Sequence, residues 1–144
     1  FGHSIIEIDG RPCPCGNRGC LEQYASERAL FAELSQIKGI PVNADVFEQL
    51  YRAGDGDAHR LMDNFIRYIS ICINNLLTTF NPDVIILNSV LNRCRPSLCE
   101  DITNALRGNM KQYCRLVSSS LQDTAALLGG IYLIQQQFLY PNQL

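Results

Sequence analysis

Between Pro12 and Cys20 the chain places two prolines, two glycines and three cysteines in nine residues. Proline has no N–H to give to a helix or a ladder, and glycine loses more freedom than any other residue when either forms. This stretch must fold as an irregular loop, and something other than a hydrogen-bonded ladder must hold it. Cys13, Cys15 and Cys20 supply the means. Thiolate sulfur and imidazole nitrogen are donors that zinc accepts, four at a time and at tetrahedral angles. His3 lies ten residues before Cys13, across an Asp9-Gly10 turn, and offers the fourth donor. The expectation is one zinc ion held by His3, Cys13, Cys15 and Cys20. Four protein ligands leave no open position, so such an ion is structural and not hydrolytic. The competing reading is three unpaired or disulfide-forming cysteines beside a surface histidine. It is the weaker one, because a Cys-x-Cys pair is awkward to join directly and the chain's cysteine count, seven, is odd.

Composition narrows the class further. With 144 residues, 47% hydrophobic and 18% charged, the chain has the make-up of one globular domain with a real core and not of a disordered segment. Its net charge is −2, and no basic cluster occurs. That excludes a surface that grips nucleic acid through phosphates alone. The longest aliphatic run is Val84-Ile85-Ile86-Leu87, far short of the ~20 residues that span a bilayer, so no membrane role is expected. There is no signal-peptide pattern. The remaining cysteines, Cys72, Cys94, Cys99 and Cys114, are scattered, and the set as a whole points to a metal site in the reducing cytoplasm. Cys72 falls on an apolar stripe and is expected in the core, and His59 is expected to be exposed. The chain begins at Phe1 without methionine, which suggests a piece of a longer protein.

Periodicity gives the order of elements. Ser4–Ile8 reads as a short strand ending at the Asp9-Gly10 turn. A helix is expected from Leu21 until Gly39 stops it, with Leu21, Tyr24, Ala25, Leu30, Phe31 and Leu34 at helical spacings. A short helix capped by Asn43 or Asp45 follows. The longest segment runs from Asp57, as cap, to Phe80, with an apolar stripe wide enough for burial on more than one side. Asn81-Pro82 ends it. Asp83–Leu87 reads as a buried strand, Pro96 to Met110 as a helix, Arg115–Ser118 as a second strand, and about Gln122 to Phe138 as the last helix. This is an α/β arrangement, helix-rich with a small sheet. Two or three strands are marginal alone, so the sheet is expected to continue in sequence outside this chain.

Gly2-His3, Asp9-Gly10, the run Cys13-Pro14-Cys15-Gly16-Asn17-Arg18-Gly19-Cys20-Leu21-Glu22 and Ala25-Ser26 together resemble the signature of the ROK family (repressors, open reading frames and sugar kinases). Phe80–Leu87 resembles the family's asparagine-proline strand, and Ala125–Gly130 its C-terminal helix. Residues 1–144 thus look like the C-terminal part of a ROK protein, the zinc loop being about residues 1–20. The N-terminal lobe and any DNA-binding domain are expected outside this chain. The resemblance implies an actin-like (ribonuclease H-like) fold with sugar between two lobes. It implies that His3 serves zinc through one ring nitrogen and a sugar hydroxyl through the other, and that Glu22 accepts sugar hydroxyls. Without the resemblance, Glu22 would read as a solvated acid in a helix's first turn. It implies dimers or higher oligomers.

No catalytic residue is expected here, because the family's catalytic aspartate and phosphate loop belong to the N-terminal lobe. Kinases of the family follow the asparagine-proline strand with paired glycines, whereas this chain has Asn88-Ser89. The reading is therefore the sugar-sensing part of a repressor, closest in look to xylose-responsive members. DNA would be contacted only by a helix-turn-helix segment outside this chain. The alternatives are the C-terminal part of a glucokinase- or fructokinase-like enzyme and a zinc-stabilised interaction module.

Overall fold

A 25-residue helix organises the molecule. The computed structural model describes residues 1–109, 112, 114–121 and 124–139. After the cysteine loop and a 3-10 turn at Leu21–Gln23 come α1 (Glu27–Lys38), α2 (Ala44–Arg52), α3 (Gly56–Phe80) and β1 (Val84–Leu87). A 3-10 turn at Val90–Arg93 leads to α4 (Leu98–Ala105), β2 (Arg115–Ser118) and α5 (Ala125–Leu139). From α1 onward the expected helix–strand order is therefore present. Of the residues assigned to the fourth and last helices, Met110, Gln122 and Asp123 lie outside the described set.

α3 buries Ala58, Leu61, Met62, Phe65, Ile66, Cys72, Ile73 and Leu77. All of these except Cys72 share one core with Leu30 and Leu34 of α1, Phe47 of α2, Leu91, and Leu98 and Ile102 of α4. Each fully buried side chain of this size contributes about 1.5–3 kcal/mol. Both ends of α3 are fixed by single residues. Asn81 adopts the left-handed conformation at φ 45° and closes the C-terminus, and Pro82 after it bars a return to the helix.

The N-terminal cap is Asp55, not Asp57. Gly54 takes φ 80°, which turns the chain early enough for the Asp55 carboxylate to accept from the Asp57 and Ala58 N–H groups at 3.1 and 3.0 Å. Lys38, at the end of α1, sits 2.6 Å from Asp55 and 2.8 Å from Asp57. These contacts, led by the Lys38 ammonium, hold both carboxyls below their ordinary 3.8. They raise Lys38 above its ordinary 10.5. The carboxylates' contribution to stability is therefore present above about pH 4 and is lost as pH falls through their lowered values. The lysine's contribution is present below its ordinary value and is lost in strong base. An Asp55→Ala variant is expected to melt at lower temperature at pH 7, with the difference shrinking in acid as the parent loses the same contacts. Thermal melts at pH 7 and pH 3 check this.

β1 and β2 pair in parallel, Val84 opposite Arg115 through Leu87 opposite Ser118, with α4 in the connection between them. The strand expected to be buried is only half covered. Ile85 and Leu87 pack against the core, while Val84 is 38% and Ile86 67% exposed. A two-stranded sheet has one face for the helices and leaves the other open. α5 is unlike every other helix, for none of its residues is buried. Leu127, Ile131, Leu133, Ile134 and Phe138 are each more than half exposed. Among the described residues no helix is long and apolar enough to cross a membrane.

Candidate functional site

The cysteine loop is curled by backbone contacts that converge on Gly19. This glycine has φ 75°. Its carbonyl accepts from Ile6 N–H at 2.9 Å, and its own N–H donates to the Arg11 carbonyl at 2.8 Å. A β-carbon there would collide with the carbonyl of Glu7. Cys13 N–H donates to the Asn17 carbonyl at 2.9 Å and Gly16 N–H to the Cys13 carbonyl at 3.0 Å, closing a turn around Cys15. The strand expected over Ser4–Ile8 does not form. Isolated bridges stand in its place, Ile5 with Cys20 and Pro12 with Arg18. The segment facing it is this curled loop, which cannot offer a ladder, and Ile5 and Ile8 are left exposed.

Three fasteners tie the loop to the helices. Arg11 bonds Glu33 of α1 at 2.8 Å and lies 4.7 Å from the centre of the Tyr24 ring. The Tyr24 hydroxyl accepts from Arg11 N–H at 2.7 Å. The Tyr68 hydroxyl of α3 donates to Glu7 at 3.0 Å. Burial, then the Glu7 contact, raises the Tyr68 phenol above its ordinary value.

His3, Cys13, Cys15 and Cys20 meet. Their donor atoms all lie within 4.8 Å of one another. His3 Nδ1 is 3.6 Å from Cys13 Sγ, and Cys15 Sγ is 3.6 Å from Cys20 Sγ. Four soft and borderline donors this close could hold a metal ion. The electrostatics point the same way. The Cys13 thiol is lowered to about 6, chiefly by the Cys15 backbone N–H and against the effect of burial. The Cys20 thiol is pushed up to about 12, by burial first and then by the Cys15 and Cys13 side chains. One thiolate forms readily and the next is penalised beside it. A cation among the sulfurs removes that penalty.

His3 also stands beside Glu22, with Nδ1 3.7 Å from Oε2. Main-chain bonds set this spacing, since Glu22 N–H donates to the Gly2 carbonyl at 2.8 Å and Leu21 N–H to the Ser4 carbonyl at 2.9 Å. Glu22 does not lie in the first turn of a long helix. The helix expected from Leu21 begins at Glu27, because Ser26 caps it, accepting from Ala29 N–H at 3.1 Å and donating to the Glu22 carbonyl at 2.7 Å. Glu22 is thus held in a separate 3-10 turn, its second oxygen 3.7 Å from the Arg28 guanidinium.

Sequence reasoning missed three residues of this neighbourhood. Gln23 donates to Cys13 Sγ at 3.4 Å, and Arg28 reaches Glu22. Glu27 accepts from Ser89 Oγ at 2.7 Å and from Val90 N–H at 2.9 Å, tying α1 to the segment after β1. Gln23 adjoins Glu22 and Arg28 lies six residues beyond it, whereas Glu27 acts across the fold. Of the groups set aside, Cys72 is buried as expected. His59 is half-buried and not exposed, since its ring stacks 4.0 Å from that of Tyr51 and its Nε2 is 3.0 Å from the Tyr51 carbonyl.

The ROK family model matches residues 1–137. The chain belongs to the ROK family. It is 34% identical over 143 residues to a xylose repressor of Bacillus spizizenii, covering 96% of this chain and 37% of that protein. A ROK glucokinase from Streptomyces griseus, solved with glucose and AMPPNP, superposes at a TM-score of 0.76 and 25% identity, over 94% of this chain and 51% of that one. A ROK transcriptional regulator, a homologue of the Escherichia coli MLC protein, superposes at a TM-score of 0.75 and 27% identity, over 94% and 37%. The chain thus spans a little over a third of the xylose repressor's length. Its fold is that of a portion of the ROK sugar-kinase fold, in which repressors and kinases are both built.

Proposed function

We propose that residues 1–144 are the C-terminal, sugar-sensing portion of a ROK transcriptional repressor that responds to xylose. The observation that carries this reading is the 34% likeness to a xylose repressor across 96% of the chain. A structural zinc held by His3, Cys13, Cys15 and Cys20 fits the donor set. Zinc–sulfur bonds of about 2.3 Å and zinc–nitrogen bonds of about 2.0 Å give tetrahedral edges of about 3.8 Å between sulfurs and about 3.5 Å between sulfur and nitrogen. The His3 Nδ1–Cys13 Sγ and Cys15 Sγ–Cys20 Sγ edges are both 3.6 Å. When bound, zinc supplies a cross-link across the loop and fixes the histidine.

With Nδ1 of His3 given to the metal, the ring proton is confined to Nε2, which becomes a fixed donor for a sugar hydroxyl. Glu22 accepts hydroxyl hydrogens through its carboxylate. Arg28 and the Gly2 carbonyl hold Glu22 in place, so little order has to be created when sugar arrives. The N-terminal lobe, on this reading, seats on what this chain leaves bare: the open face of β1 and the apolar surface of α5. DNA binding belongs to a segment preceding residue 1, and the assembly is a homodimer or larger, in the cytoplasm.

The second reading is a sugar kinase, favoured by the superposition on the glucokinase. Against it stands the segment after β1, where kinases of the family carry paired glycines. Here Ser89 is buried, caps the following turn through Leu91 N–H at 3.2 Å and is bonded to Glu27. Side chains fill space that glycines would leave for a ligand. The test uses the full-length protein. Xylose is expected to release it from its operator DNA, and ATP with a panel of aldoses is expected to give no turnover above a protein-free control. Sustained turnover would transfer the assignment to the kinases.

A further inference from the structure

A concavity of about 590 Å³ opens between α3 and the end of α4, lined by Arg67, Ser70, Ile71, Asn74, Asn75 and Arg107. None of its residues belongs to the His3–Glu22 neighbourhood. Its volume is in the range of small-molecule sites. Residues 67, 70, 71 and 74 recur at helical spacing along one face of α3, so Arg67, Ser70 and Asn74 flank the exposed Ile71 on that face.

The charges of this concavity are not balanced. Arg11, Arg28, Arg52, Arg60, Arg93 and Arg95 each stand within 4.0 Å of a carboxylate. Arg18, Arg67, Arg107 and Arg115 have no such partner among the described residues, and of these four Arg67 and Arg107 line one cavity. Arg67 instead lies 5.7 Å from the centre of the Tyr68 ring, a contact that uses the guanidinium face and leaves its N–H groups open. The carbonyls of Asn74 and Asn75 accept from Thr78 and Thr79, but their side-chain amides have no hydrogen-bond partner among the described residues. Ser70 is buried, and its hydroxyl donates to the Arg67 carbonyl at 2.8 Å, with lone pairs to spare. No acid lines the cavity, although the chain as a whole carries a net charge of −2.

Each guanidinium presents paired N–H donors suited to phosphate oxygens. Carboxamides both donate and accept, which suits hydroxyl groups. We propose that the groove between α3 and α4 binds the phosphate monoester of a small polyol, a sugar phosphate in chemical class. Arg67 and Arg107 hold the phosphate, and Asn74 and Asn75 read the hydroxyls. The site is separate from the one proposed for free sugar and stands or falls without it.

Calorimetric titration of the metal-loaded full-length protein with a pentose phosphate, in phosphate-free buffer at low ionic strength, tests this. Saturable binding is expected, displaced by inorganic phosphate and not by free pentose. Arg67→Gln and Arg107→Gln are each expected to weaken it by about ten- to a hundredfold, the loss for a charge-assisted hydrogen bond. Both side chains are exposed, so circular dichroism should match the parent. Asn74→Leu should weaken the pentose phosphate and spare inorganic phosphate. Absence of saturable binding, displacement by free pentose, or undiminished affinity in the Arg67→Gln/Arg107→Gln double variant overturns the proposal.

Discussion

Cys20→Ser is expected to reduce the metal content from one ion per chain to background and to release residues 1–24 from the body of the fold. Cys20 is fully buried and is paired through its backbone with Ile5. A serine oxygen neither matches the sulfur's softness nor ionises at neutral pH. Without the cation, Cys13 and Cys15 face each other and the His3 ring with nothing to offset their crowding. The helical core should survive, because its members, from Leu30 to Leu106, include no residue of the loop. Far-ultraviolet circular dichroism should therefore change little, while amide protection across the loop disappears. Metal retention should also fall as pH falls. The Cys20 thiol sits at about 12 without a cation, so metal binding must displace its proton, and acid favours the proton. Elemental analysis across a pH series checks both statements. Full occupancy in Cys20→Ser would show that the ligand set is misassigned.

Gly19→Ala is expected to do comparable damage by a different route. At φ 75° an alanine sits in the left-handed region, at a cost of roughly 1–2 kcal/mol. Its β-carbon would also collide with the Glu7 carbonyl. Neither side can yield cheaply, since Gly19 is bonded to Ile6 and Arg11 through both its peptide groups, and Glu7 is anchored by Tyr68. The expected result is a loop that no longer closes, with metal affinity and thermal stability both reduced. Gly16→Ala is the control. Its φ is 92°, but nothing lies within 4 Å of the added carbon, so it carries the backbone strain without the collision and should retain more metal than Gly19→Ala.

The donor cluster was legible from spacing because proline and glycine leave a chain of this kind few ways to turn. His3, Cys13, Cys15 and Cys20 are brought within 4.8 Å. The helices were legible from apolar periodicity, and their C-terminal stops from Gly39 and Asn81, both left-handed. What failed depended on partners distant in sequence or on competition between adjacent caps. Ser4–Ile8 has strand composition, but no straight segment lies opposite it. Asp55 and Asp57 are equally good cap residues by type, and the chain turn at Gly54, φ 80°, decides for Asp55. The helix expected from Leu21 was interrupted by Ser26, whose hydroxyl serves the turn before and the helix after. β1 looks like a buried strand because its residues are apolar throughout, yet one of its faces is open here. Arg28 and Glu27 carry no local signature. Glu22 meets Arg28 because the chain turns at Ser26, and Ser89 meets Glu27 only when the fold is assembled.

The central claim is that one histidine joins a structural metal to a sugar pocket completed by Glu22. Xylose titration of the full-length protein and of its Glu22→Ala variant, with metal analysis on the same samples, tests it most directly. Removing a carboxylate that accepts hydroxyl hydrogens should weaken sugar binding by about ten- to a hundredfold. Metal content should not change, because Glu22 is not among the four donors. His3→Ala should lower both. Xylose bound by Glu22→Ala as tightly as by the parent, at equal metal content, would contradict the account and return Glu22 to the role of a surface acid paired with Arg28.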